Sequence, residues 1–141
     1  MDWLQPIDLY CERLGAGFWA EPVNALSNAA FLVAAVAAFV SLRRTGGRDG
    51  PALALIGVVA VVGIGSFLFH TLANRWSLLA DVLPITAFIY GYFLLAMRRF
   101  VGLSLVAALA VTGAFLAFNL AFEPLWRTVL GPGAPTLNGS L

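Results

Sequence analysis

The sequence contains no lysine, one cysteine and one histidine, and only 11% of its 141 residues are charged. Each scarcity excludes something. A soluble domain carries about 25% charged and about 45–50% apolar residues. Here 61% of the side chains are hydrophobic and mean hydropathy is +0.91. So little charge cannot coat a globule of this size, which leaves a membrane protein. The eight basic residues, all arginine, and seven acids give a net charge of +1, too small a surplus to hold a nucleic-acid backbone. The lone Cys11 has no partner for an internal disulfide, so it is a free thiol or half of a bridge to something outside the chain. The N-terminus, Met1-Asp2-Trp3-Leu4-Gln5-Pro6, has neither a basic start nor a short apolar core with a small-residue cleavage site. The first helix is therefore expected to direct its own insertion.

What the chain has in quantity is long apolar runs. A membrane-spanning helix needs about 20 mostly apolar residues, and four stretches qualify: residues 24–42, 51–70, 78–97 and 101–122. Pro51 opens the second run, where its missing N–H does no harm. Ser77 is the expected cap of the third, and Glu123-Pro124 is expected to stop the fourth. The 45–50 linker, Thr-Gly-Gly-Arg-Asp-Gly, is turn-rich. The expected fold class is therefore all-α, with four transmembrane helices. Arg43, Arg44, Arg48, Arg98 and Arg99 fall on one side, against Arg13, Arg75 and Arg127 on the other. That asymmetry places the N-terminus, the 71–77 loop and the tail outside the cytoplasm. In the tail, residues 125–130 suit the interface with Trp126 as anchor, and 131–135 read as a loop. Asn138-Gly139-Ser140 matches a glycosylation sequon, a pattern too short to carry weight.

Ionisable groups at membrane depth are costly, so each invites a functional reading with a partner to be found. Ser66 and His70 stand four apart, hence one helical turn apart on one face. Gly63 and Gly65 before them leave room for another backbone or a substrate. The 71–77 loop reverses the chain, and Asp81 then falls in the first turn of the third helix, level with His70. Ser, His and Asp thus converge near one membrane surface. Plainer readings stand beside this one. His70 suits an interfacial position, Asp81 a helix N-terminus and Ser66 helix packing. A serine four residues before a histidine on one helix resembles no nucleophile geometry. A catalytic zinc takes three protein ligands and a water, and one histidine supplies one of them.

A second cluster lies earlier. Glu21, Asn24 and Asn28 share a face at the start of the first helix. With Asp8 and Glu12 folded over them they form an oxygen-rich set suited to a hard cation such as Ca²⁺, which takes 6–8 oxygens. The alternative is a solvated acidic arm with ordinary helix capping.

The motifs Asp8-Leu9-Tyr10-Cys11-Glu12-Arg13 and Gly17-Phe18-Trp19-Ala20-Glu21-Pro22-Val23-Asn24-Ala25-Leu26-Ser27-Asn28 resemble the opening of the ceramidase family of membrane hydrolases. Gly63-Ile64-Gly65-Ser66-Phe67-Leu68-Phe69-His70 and Asp81-Val82-Leu83-Pro84-Ile85 resemble its second and third helices. The resemblance implies a seven-helix bundle akin to the adiponectin-receptor-like proteins, with an outside N-terminus. It also implies a zinc amidase that splits ceramide into a sphingoid base and a fatty acid. By resemblance, His70 is a zinc ligand, Ser66 stabilises the oxyanion or positions the zinc water, and Asp81 handles the proton. Glu12 and Glu21 match the acids of the family's calcium site. Asp8 is displaced by one, with Leu9 at the usual aspartate, and Leu14 replaces an asparagine. Cys11 matches a cysteine that pairs late in the family's chain.

The family's two further zinc ligands lie in a His-x-x-x-His pair on its seventh helix, and no histidine follows His70. The chain therefore reads as the first four of seven helices, a single ceramidase-like domain incomplete at its C-terminus. A second chain supplying the missing histidines and a non-catalytic lipid- or partner-binding module are the alternatives. The expected partners are the bilayer and a ceramide-like lipid, with no nucleic acid. The arginine-, alanine- and glycine-rich, lysine-free composition suggests a GC-rich bacterium, hence an inner membrane with the site toward the periplasm.

Overall fold

The computed structural model describes residues 2–131. Five helices account for most of them: α1 (Pro22–Ser27), α2 (Ala29–Arg44), α3 (Gly50–Leu72), α4 (Arg75–Arg99) and α5 (Leu105–Leu130). Among the described residues there is no strand, only an isolated antiparallel bridge between Pro6 and Asn74. Four helical segments are long and apolar enough to cross a membrane: Pro22–Arg44, Gly50–Leu72, Arg75–Arg99 and Leu105–Phe122. The chain is an all-helical, integral membrane protein. Side chains such as Val33, Val36, Ile64 and Val106 stay exposed, as lipid-facing positions do when hydrocarbon is the solvent.

Helix ends follow local chemistry and correct several expected boundaries. Pro22 at the first helical position starts α1 two residues before the expected Asn24, and the helix is interrupted at Asn28 before α2 continues. The Asp49 carboxylate accepts from the Ala52 N–H at 3.1 Å, so α3 begins at Gly50. It ends at Leu72, and the following Ala73 takes the left-handed conformation with φ 41°. Ser77 is not the cap of α4. Asn74 is, its Oδ1 accepting from the Ser77 N–H at 3.1 Å while Ser77 Oγ accepts from the Asn74 N–H at 3.1 Å. This reciprocal pair satisfies two orphan donors and moves the helix start back to Arg75. Ser104 caps α5 by accepting from Ala107 N–H at 3.2 Å, four residues later than the sequence suggests. Nor does Pro124 stop α5, which runs on to Leu130. A proline removes only its own N–H from the ladder and is tolerated in apolar helices where neighbouring groups compensate. Here Thr128 Oγ1 donates to the Pro124 carbonyl at 2.7 Å. The 125–130 segment is therefore helix, and the sequon at 138–140 lies outside the described residues.

The chain divides into two compact units, one ending at Gly91 and the other starting at Tyr92. In the first, α3 packs against α1 and α2, and the N-terminal arm runs over the α3–α4 turn. Ile7 N–H donates to Ala73 O at 2.8 Å and Trp76 N–H to Trp3 O at 3.3 Å. In the second, α5 carries the ring pair Phe118–Phe122 with Trp126 beyond it. Phe93 meets Phe115 at 4.8 Å between ring centroids.

Candidate functional site

The buried polar side chains of the first unit gather where α3 ends, α4 begins and the arm crosses: Glu21, Ser66, His70 and Asp81 are each less than 9% exposed. Two glycines in the two turns before His70 make this possible. A methyl on Gly63 would meet Phe31 Cβ at 3.0 Å and Asn28 O at 3.1 Å, so that side of α3 lies against the α1–α2 break. A methyl on Gly65 would overlap the Ala80 carbonyl, so the other side meets the α4 backbone. The room at Gly65 is filled by the α4 backbone, and the room at Gly63 by Phe31, Leu32 and the Asn28 carbonyl. Pro84 lies four residues after Ala80 inside α4. It has no N–H to offer the Ala80 oxygen, which leaves that carbonyl to turn toward α3.

This approach sets Ser66 against the residue that follows Ala80. Ser66 Oγ donates to Asp81 Oδ1. Because α4 begins at Arg75, Asp81 lies beyond the first turn, and a simple role at the helix N-terminus is corrected. Ser66 likewise does more than pack, since its hydroxyl is hydrogen-bonded to that carboxylate.

One turn further along α3, His70 Nδ1 pairs with Glu21 Oε2 at 2.6 Å. A carboxylate on one ring nitrogen fixes the ring and leaves the other with its lone pair outward, the arrangement that accompanies metal-ligating histidines. Nε2 has no hydrogen-bond partner among the described residues. Tyr10, from the arm, presents its ring edge-on to the imidazole at 4.8 Å. Burial raises the Tyr10 hydroxyl above its ordinary pKa, helped by the negative charges of Asp81 and Glu21, so those two carboxylates both act on one phenol.

Glu21 is the hub. Its Oε1 accepts from Arg13 Nε at 2.5 Å, and its Oε2 also receives Asn24 Nδ2 at 3.4 Å. Burial alone would raise its carboxyl, but hydrogen bonds from His70 and Arg13, with their charge, outweigh that and hold it below the ordinary value. Arg13 continues to the His70 carbonyl through Nη2 at 3.0 Å and to the Gly15 carbonyl through Nη1 at 3.2 Å. Neither Arg13 nor Tyr10 stands out in the sequence as a site residue. The available signal for Arg13 was a single base inside an otherwise acidic arm.

The acids expected to share a hard cation are brought near one another but not into one cage. Both Glu12 oxygens are occupied at the start of α1, accepting from the Val23 N–H at 2.8 Å and the Asn24 N–H at 3.1 Å. Glu12 is thus the cap that Glu21, at the capping position, does not provide. Asp8 is exposed, and Asn28 turns its amide to the Asn24 carbonyl at 2.8 Å. Cys11 is exposed and unbridged among the described residues. No three of His, Cys, Asp and Glu converge on one metal position among the described residues. As arranged, the acidic arm does not fit Ca²⁺, whereas His70 Nε2 fits one bond to Zn²⁺.

Compared with known proteins, residues 10–129 match a family model described as Ceramidase. No curated protein and no solved structure matches.

Proposed function

Because the chain belongs to the ceramidase family, we propose that it serves hydrolysis of a lipid amide, ceramide or a close relative, through Ser66, His70 and Asp81. Membership makes the chain ceramidase-like and a relative of hydrolases at the family level. The observation that carries the finer reading is a buried imidazole with one nitrogen held by Glu21, beside a buried serine–aspartate pair, in helices otherwise made of apolar residues.

A Zn²⁺ held at His70 Nε2 supplies, when bound, Lewis-acid activation of water and of an amide carbonyl. Its other protein ligands we assign to protein outside this sequence, either further helices or a second chain. Glu21 keeps the imidazole in one tautomer and one orientation. Asp81, through the oxygen that Ser66 leaves free, takes a proton from the attacking water and returns it to the departing amine nitrogen. The Ser66 hydroxyl, turned from Asp81 toward the substrate, donates to the carbonyl oxygen as negative charge develops there. The helices around the site are apolar and long enough to span a bilayer, which suits a substrate delivered from the membrane. The arginine asymmetry supports this end facing away from the cytoplasm, and the lysine-free, arginine-, alanine- and glycine-rich composition supports a bacterial inner membrane, whose outer side is the periplasm.

The test is turnover of a fluorescent ceramide by the protein purified from membranes, with metal content measured in parallel. His70→Ala should lose both metal and turnover, while Asp81→Asn should keep the metal and lose turnover. Unchanged metal and turnover in His70→Ala would end this reading. The absence of three converging metal-binding side chains among the described residues favours a second reading, a non-catalytic module that binds lipid or a partner. It predicts lipid binding with no metal-dependent turnover.

A further inference from the structure

The oxygens at the crossing of the arm and α3 are those a hard divalent cation collects, a carboxylate and backbone carbonyls, yet a side chain has collected them. Arg13 gathers three from three segments: Glu21 Oε1 before α1, the His70 carbonyl near the end of α3 and the Gly15 carbonyl in the arm. Arg13 and Glu21 are 6% and 3% exposed in their side chains. The His70 carbonyl belongs to the last turn of α3, whose oxygens have no donor within the helix, and a cation is favourable there. Glu12, the other acid of the cluster, gives both oxygens to α1. A calcium ion added at this crossing would meet a fixed positive charge, with the nearby carboxylates already hydrogen-bonded.

We propose that the Arg13 guanidinium is the built-in cation of this protein, standing in for a divalent metal at the arm–α3 crossing and acting as a positioning residue for His70. Its Nε–H fixes Glu21 from one side while the two Nη groups of the same planar fork hold the Gly15 and His70 carbonyls, and Glu21 fixes the imidazole from the other. The same residue ties the arm to the His70 carbonyl, so one guanidinium sets both the backbone and the ring of His70. This extends the reading of His70 as a functional residue, but its tests read neither metal content nor turnover.

The protein has a single histidine, so ¹⁵N-histidine labelling reports His70 alone. The neutral imidazole of the wild-type protein in detergent should give one tautomer, with Nδ1 protonated toward Glu21 and Nε2 bare. Arg13→Ala should convert this signal to a tautomer mixture, and millimolar guanidinium should restore it. Arg13→Lys should restore charge without the fork and leave the mixture. Calcium at about 5 mM, above the ~1 mM constants of weak extracellular sites, should leave the wild-type melting temperature where it stands in EGTA. An Arg13→Ala spectrum like wild type would overturn the proposal. So would a calcium-dependent rise of several degrees in the wild type, a test that remains valid if Arg13→Ala fails to fold.

Discussion

Gly65 of α3 lies against the carbonyl of Ala80 in α4 so closely that no side chain fits between them. The next residue on each helix is a site residue, Ser66 and Asp81, and the two are hydrogen-bonded. The backbone contact and the polar pair are one feature. Gly65→Ala should therefore push the helices apart, lower stability by about 1–3 kcal/mol or more and separate Ser66 from Asp81. Thermal melting in detergent checks the first effect and ceramide turnover the second. Gly57→Ala is the matched control on the same helix, with nothing within 4 Å of the added carbon. It should be neutral or stabilising by about 0.4–1 kcal/mol.

Glu12 caps α1, its two oxygens accepting from the Val23 and Asn24 N–H groups. Glu12→Ala should cost about 0.5–2 kcal/mol, as the loss of other helix caps does. The loss should be the same with calcium present or chelated, which a pair of melting curves checks.

The Arg13–Glu21 pair is buried on both sides. Removing one member of such a pair typically costs about 3–5 kcal/mol because the other charge is left without compensation. Arg13→Ala should fall in that range, and the double variant Arg13→Ala/Glu21→Gln should recover part of it. A double-mutant cycle on melting temperatures measures the coupling.

Stability should depend on pH through Glu21. Its carboxyl is held below the ordinary value of 4.5 by His70 and Arg13, against the opposing effect of burial. A depressed acid contributes stability that is fully present above its unfolded pKa and is lost as pH falls through the folded one. Melting temperature should therefore be flat in this contribution above about pH 5 and decline below it. Glu21→Gln should flatten that acid limb, measured as melting temperature from pH 7 downward.

The proposed chemistry separates Ser66 from Asp81. Asp81→Asn should lower turnover by about 10²–10⁴-fold, the range for loss of a general acid–base. Ser66→Ala should lower it by about 10²–10³-fold, the range for one oxyanion donor. Both should leave the far-ultraviolet circular dichroism unchanged.

Sequence composition by itself determined that this is a helical membrane protein, because hydrocarbon demands apolar runs of a given length and leaves the backbone few other ways to satisfy itself. The four spans, a turn between the first two of them (at 45–49 rather than 45–50) and the placing of Ser66 and His70 on one face follow from apolar length, turn residues and helical spacing, and residues 10–129 do match the ceramidase family. Spacing could not tell which atoms meet once those spans pack. Glu21 read as a cation ligand, yet it holds His70. Glu12 read the same way, yet it caps α1, and Arg13 counted only toward the charge asymmetry of the two sides. Pro124 read as a stop but lies within α5, and Ser77 read as a cap but is the inner half of the Asn74 box. Each difference depends on contacts between segments distant in sequence or on backbone groups whose partners are settled only by packing. A periodic pattern shows which face of a helix is apolar. The pairing of Arg13 with Glu21, and of Glu21 with His70, required the arm to fold over the end of α3, and only the tertiary structure decided that.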